Sequence, residues 1–144
     1  MPNRRISEVI GTRPFPTVLP TTSIRAAAII MKEWKSSAVL VVSKNQLTGI
    51  LTERDIVFRV VATNCDPATT HVGTIMTSEI QTIHVEKPFG HALHMMFEGG
   101  FRHVPVVNDL GQPVGLLAAH DALEADGLQM EQELVRREEI TVIL

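Results

Sequence analysis

The chain repeats itself once, and a two-copy sequence restricts the possible folds more than any single motif within it. Residues 17–24 lie on residues 82–89 at an offset of 65 positions, and each segment reads as a short strand and a turn. Apolar residues then recur at i, i+3, i+4 and i+7 in both copies: Ile24, Ala27, Ala28 and Met31 in the first, Phe89, Ala92, Leu93 and Met96 in the second. That spacing draws one apolar stripe along a helix, so each copy is predicted to carry an amphipathic helix. Ser23 is placed as the N-cap of the first helix, and Pro88 near the N1 position of the second, where its missing N–H is harmless.

The helices are followed by residues 38–42 and 103–107, β-branched runs with the length of buried strands. The turns after them, residues 43–46 and 108–112, contain Asn, Asp and Gly, which tolerate the positive φ of hairpins. The second turn is one residue longer and moves the offset to 66. Returning strands follow at 47–51 and 113–117, each running into a helix, near Glu53 and near Ala119. Lead-in helices precede both copies, at residues 6–10 and 72–76. The predicted organisation is a first repeat over residues 5–62, a turn-rich linker over 63–71, a second repeat over 72–123, and a tail over 124–144 that is helical and then apolar.

A unit of about 60 residues is marginal alone, whereas two copies packed sheet to sheet bury the strand faces that each would leave exposed. The composition, 44% hydrophobic and 20% charged, is that of a chain able to bury a core. With 13 Lys+Arg against 16 Asp+Glu the formal charge is −3, and no basic stripe marks a nucleic-acid surface. The longest apolar runs, residues 26–31 and 38–42, fall far short of the roughly 20 residues a bilayer span needs, so no membrane contact is expected. Two N-terminal arginines have no apolar stretch behind them, unlike a secretory signal. The single cysteine, Cys65, has no intrachain partner, and these features together point to a reducing cytoplasm. No nucleophile elbow, Walker phosphate loop or dinucleotide-binding glycine triplet occurs, which leaves an enzyme without a site.

The string Gly49-Ile50-Leu51-Thr52-Glu53-Arg54-Asp55 follows a glycine–hydrophobic–hydrophobic–Thr-x-x-Asp pattern. Its counterpart, Gly115-Leu116-Leu117-Ala118-Ala119-His120-Asp121, keeps the Gly and the Asp but has Ala118 in place of the hydroxyl. With the Phe101-Arg102-His103-Val104-Pro105-Val106-Val107 stretch, the two copies resemble the CBS domain, named after cystathionine β-synthase. The resemblance implies an α+β fold of two βαββα repeats forming a pseudo-twofold pair, and a homodimer. It implies a regulatory role, in which clefts between the copies bind AMP, ADP or ATP, with NAD or S-adenosylmethionine as further adenosine ligands. No catalysis and no required cofactor are implied.

A ribose offers two neighbouring hydroxyls, and an ionised carboxylate accepts hydrogen bonds from both. Asp55 and Asp121 hold the position that the resemblance gives to that carboxylate, although an Asp in the first turn of a helix also serves as a cap. Thr52 places a hydroxyl near a helix N-terminus, which favours phosphate; Ala118 cannot. Arg54 and, in the second copy, His120 are placed to pair with phosphate or to be solvated charges. By resemblance, Asp55 faces Thr77, Gln81, Phe101 and Arg102, with Ile50 and Phe101 as apolar walls for adenine. Asp121 faces residues 11–16, Ser36 and Ser37, and there Pro14-Phe15-Pro16 removes two backbone donors. Arg102 and His103 are further phosphate contacts.

Five of the six histidines, His84, His91, His94, His103 and His120, lie in the second copy. His91 and His94, at i and i+3 with His103 as a third candidate, are a weaker metal-binding alternative that lacks a recognisable ligand set; no metal site is assigned. Met31, Met76, Met95, Met96 and Met130 read as apolar filler, and Trp34 as an exposed group suited to a dimer contact. The expected function is a sensor that binds an adenine nucleotide and signals through dimer packing to a regulated partner on a separate chain. The alternative is a dimeric scaffold whose clefts stay empty.

Overall fold

The computed structural model describes residues 4–122, so the tail expected at 124–144 lies outside the described residues. The first repeat runs α1 (Ile6–Ile10), β1 (Thr17–Val18), α2 (Ile24–Trp34), β2 (Ala38–Ser43), β3 (Gln46–Thr52) and α3 (Glu53–Ile56). The second runs α4 (Val72–Ile75), β4 (Ile83–His84), α5 (Phe89–Gly99), β5 (His103–Val107) and β6 (Pro113–Ala118), with a helical turn starting at His120. Each repeat forms a three-stranded sheet, ordered β1-β2-β3 and β4-β5-β6. In each, the first strand pairs parallel with the second, and the second antiparallel with the third.

Local chemistry accounts for the elements. Ser23 caps α2 by accepting a hydrogen bond from the Ala26 N–H at 3.1 Å. The β2–β3 hairpin turns on Lys44 and Asn45, both with positive φ, the pattern of a type I′ turn. The longer β5–β6 turn puts Gly111 at φ 75°, and Asn108 Oδ1 accepts from the N–H groups of Leu110 and Gln112. Two expectations shift. Pro88 is the N-cap of α5 rather than its first residue, because the Phe89 N–H donates to Arg4 O and the Ile6 N–H to Lys87 O, which hold Pro88 extended. The helix after β3 is α-helical only to Ile56 and continues as a π-helical turn, Val57–Val61, with Val60 buried.

The strands are apolar on both faces because both faces are covered. Val39, Val41 and Leu51 turn toward Ile24, Ala27 and Met31 of α2. Ala38, Leu40 and Ile50 turn the other way, onto Phe15, Ile80 and Leu116, which form the seam between the repeats. The lead-in helices cross over. Ile6 and Ile10 of α1 are buried with Ile83, Phe89 and Leu117 of the second repeat, while Val72 and Ile75 of α4 are buried with Val18, Ile24 and Leu51 of the first. Matching backbone bridges hold the exchange, Arg5 with Pro88 and Ser23 with His71. Among the described residues, no helix is long and apolar enough to cross a membrane.

A further bridge joins Ile50 to Thr77, with N–H···O distances of 3.0 Å in both directions. Gly49 allows that approach: a Cβ there would strike Met76 Sδ and lie 2.9 Å from the Thr77 carbonyl. Met76 can move aside, but the Thr77 backbone is fixed by the bridge. Gly49→Ala is therefore expected to destabilise the fold by about 1–3 kcal/mol in urea melts. An unchanged midpoint would show that this contact is looser than described.

Candidate functional site

The β3–α3 junction creates the first cleft. Thr52 is the N-cap of α3: its Oγ1 accepts from the Asp55 N–H at 3.2 Å, and Asp55 Oδ2 accepts from the Thr52 N–H at 3.0 Å. This reciprocal capping box fixes the Asp55 carboxylate in the lining of the cleft. The Asp55 side chain is 12% exposed, and its Oδ1 lies 3.8 Å from Arg59 Nε, one helical turn on. The capping role and the ribose role read from the sequence are thus compatible, one oxygen serving each.

Residues of both repeats close around this carboxylate. Ile50, Thr52, Arg54 and Asp55 from the first repeat, and Thr77, Gln81, Phe101, Arg102 and His103 from the second, line one cavity of about 320 Å³. The volume sits at the small end of the range of about 300–1,000 Å³ usual for ligand sites. Every residue expected there is present. Sequence reasoning passed over Glu53, Glu79, Ile80 and Gly100, which also line it. Glu53 and Glu79 add carboxylates that neither copy's signature string marks as functional, whereas Ile80 belongs to the apolar seam. Arg54 lies over the Phe58 ring, 5.2 Å from its centroid, a cation–π contact that parks the guanidinium at the cleft edge.

The second cleft is the pseudo-twofold counterpart and measures about 210 Å³. Of the expected lining it gathers Asp121, His120, Ser36, Ser37 and, from residues 11–16, Arg13, Pro14, Phe15 and Pro16, and it adds Trp34 and Lys35. Trp34, the last residue of α2, thus lines a cleft while remaining 45% exposed. Asp121 is buried, and Arg13 grips both its oxygens at 2.9 Å. The Ala118 N–H donates to Oδ2 at 2.8 Å, half of the capping box that Thr52 completes in the first copy. Burial pushes the Asp121 carboxyl up, but the Arg13 and Ala118 hydrogen bonds outweigh it and hold the group below its ordinary value.

His103 stands between the clefts and lines both. Its Nε2 is 2.7 Å from Ser37 Oγ, a hydrogen bond between the repeats. Burial, and then the neighbouring His120, lower its pKa from 6.5, so the ring is neutral at pH 7. Any contact it makes with a phosphate is therefore that of a neutral donor. His120 lines the second cleft, not the first. The histidines weighed for metal do not converge: His91 and His94 share an outer pocket with His84, away from His103. Among the described residues, no group of three or more His, Cys, Asp or Glu side chains is arranged to hold a metal.

The chain is thus a repeated sheet–helix unit, paired so that a cleft lies on each side of the seam. The sequence profile of the CBS domain matches residues 6–62 and 72–127, and the chain belongs to the CBS domain family. It is 40% identical over 100 residues to the CBS domain-containing protein CBSCBSPB1 of Arabidopsis thaliana, a match covering 69% of this chain and 18% of that protein. The chain thus spans under a fifth of the length of that relative. Among solved structures, it resembles the CBS domain protein PAE2072 from Pyrobaculum aerophilum complexed with AMP, with a TM-score of 0.75 and 28% identity, covering 82% of this chain and 89% of that one. It also resembles the CBS domain pair of protein MJ0100 in complex with 5′-methylthioadenosine and S-adenosyl-L-methionine, with a TM-score of 0.80 and 26% identity, covering 89% and 99%.

His103 gives a pH signature. Its lowered pKa means that the unfolded chain takes up a proton first as pH falls below about 6.5, so stability drops there and is complete above that value. Urea melts between about pH 7 and pH 5 are expected to show this loss, and His103→Gln to reduce it. Equal losses in both proteins would mean that His103 is no less basic folded than unfolded.

Proposed function

We propose that this CBS pair is a regulatory module that binds an adenosine-containing ligand, of the AMP, ADP or ATP class or NAD or S-adenosylmethionine, in the Asp55 cleft. The observation that carries the proposal is the convergence of nine expected residues from three separate sequence segments on one cavity, with the Asp55 carboxylate held in its lining. In this reading Asp55 accepts from the ribose hydroxyls, Ile50 and Phe101 flank the adenine, and Thr52, Arg54 and Arg102 meet phosphate. The AMP bound to PAE2072 and the adenosyl ligands bound to MJ0100 support the ligand class.

The route from cleft to partner starts one turn beyond Asp55. Val57, Phe58 and Val61, on the π-helical turn continuous with α3, are all exposed, an apolar row suited to a second copy of the chain or to a regulated partner. Ligand binding alters that surface only through a difference in affinity between two packing states. The same row favours a second reading, a dimeric scaffold whose clefts stay empty.

Thermal melts with AMP, ATP, NAD and S-adenosylmethionine separate the two, because any ligand of the folded state stabilises it. At least one is expected to raise the melting temperature by several degrees. Asp55→Ala is expected to weaken its affinity about tenfold to a hundredfold, the worth of hydrogen bonds to a charged group. No shift with any of the four leaves the scaffold. An undiminished shift in Asp55→Ala moves the site elsewhere.

A further inference from the structure

The two clefts are built alike but differ in what already sits on their carboxylate. Asp121 has its side chain 3% exposed and both oxygens engaged: Arg13 Nη1 donates to Oδ1 and Nη2 to Oδ2, each at 2.9 Å. Arg13 Nη2 also donates to the Leu116 carbonyl at 3.0 Å. In the first cleft the matching carbonyl, that of Ile50, instead accepts the Thr77 N–H. A guanidinium offers a carboxylate two N–H donors side by side, and a ribose offers two O–H donors in the same arrangement. Arg13 therefore occupies the edge of Asp121 that a ribose would need. It does so with a full charge and at the effective concentration of an intrachain contact, both of which favour it over a neutral diol.

Among the described residues, the first cleft has no such plug. Counting from the lead-in helices, the position equivalent to Arg13 is Glu79, which lines the cleft and, as a second carboxylate, cannot pair with Asp55. Arg59 comes only within 3.8 Å of Asp55, from the same helical segment and with half its side chain exposed.

We infer that Arg13 sets how many adenosine ligands the pair accepts: it closes the Asp121 cleft to ribose and confines binding to the Asp55 cleft. The inference rests on the adenosine specificity proposed above. Without the guanidinium, Asp121 keeps the Ala118 N–H on Oδ2 and presents Oδ1, the arrangement Asp55 has with Thr52. Ala118 provides no hydroxyl for phosphate, so a ligand without phosphate tests the diol contact alone.

The probe is 5′-methylthioadenosine, titrated calorimetrically into the wild-type chain, Arg13→Ala, and Arg13→Ala combined with Asp121→Ala. Arg13→Ala is expected to bind one more ligand per chain than wild type, and the double variant to lose it. Because the readout is a difference, it holds whether or not the Asp55 cleft binds this probe. No binding to wild type counts against the proposed function, whereas equal stoichiometry in wild type and Arg13→Ala overturns the role of Arg13. A second site already present in the wild type overturns it too. Arg13→Ala leaves a buried carboxylate without its cation, so Arg13→Gln, which keeps one amide donor, is titrated alongside it after both are checked for a cooperative melt. Arg13→Gln is expected to gain the same site with weaker affinity, and a folded Arg13→Gln with no added site likewise overturns the proposal.

Discussion

The exchange of lead-in segments is the constraint on which the rest of the structure depends. Backbone bridges from Arg5 to Pro88 and from His71 to Ser23 fasten each lead-in to the other repeat, just before that repeat's long helix. Ile6 and Ile10, and in the opposite sense Val72 and Ile75, then complete a core to which they do not belong in sequence. Neither repeat can bury its apolar surface without a segment of its twin, so two marginal units become one cooperative body. The crossing also carries the segments after α1 and α4 across the seam. That is why residues 13–16 line the cleft of Asp121 and Thr77 and residues 79–81 the cleft of Asp55.

Pseudo-symmetry duplicates the scaffold but not the chemistry. Both copies place an Asp in the first turn of a helix and tie one of its oxygens to a backbone N–H three residues earlier. They diverge in the neighbours. Thr52 against Ala118 decides whether the cap is complete, and Glu79 against Arg13 decides whether the carboxylate meets a like or an opposite charge. A buried carboxylate requires a partner, and Arg13 supplies one to Asp121 at the cost of the cleft's openness. Asp55, nearer to solvent, has a looser ion pair with Arg59 at 3.8 Å. Among the described residues, His103, neutral and bonded to Ser37, is the one side chain common to both clefts.

Much of this architecture was legible in the chain. Helix faces followed from period-3.6 spacing, the Ser23 cap from its place before an apolar stripe, and the hairpins from Asn, Asp and Gly between β-branched runs. These are local signals, and local physics enforces them. The displaced Pro88 cap and the π-helical turn after Ile56 were not legible. The first is imposed by hydrogen bonds with the N-terminal segment, in which the Phe89 N–H donates to Arg4 O and the Ile6 N–H to Lys87 O, the second accompanies the burial of Val60 in the core, and both depend on partners distant in sequence.

The sequence by itself determined that two α+β units of one design exist, which elements each contains, and which residues gather around Asp55, since repetition and signature strings lie along the chain. Only the tertiary structure decided that the lead-in helices are exchanged, that Glu53 and Glu79 stand at the Asp55 cleft, and that Arg13 grips Asp121. Arg13 and Asp121 are 108 residues apart. Their pairing is set by distance in space, where Coulomb attraction and hydrogen bonding act, and no periodicity along the chain encodes it.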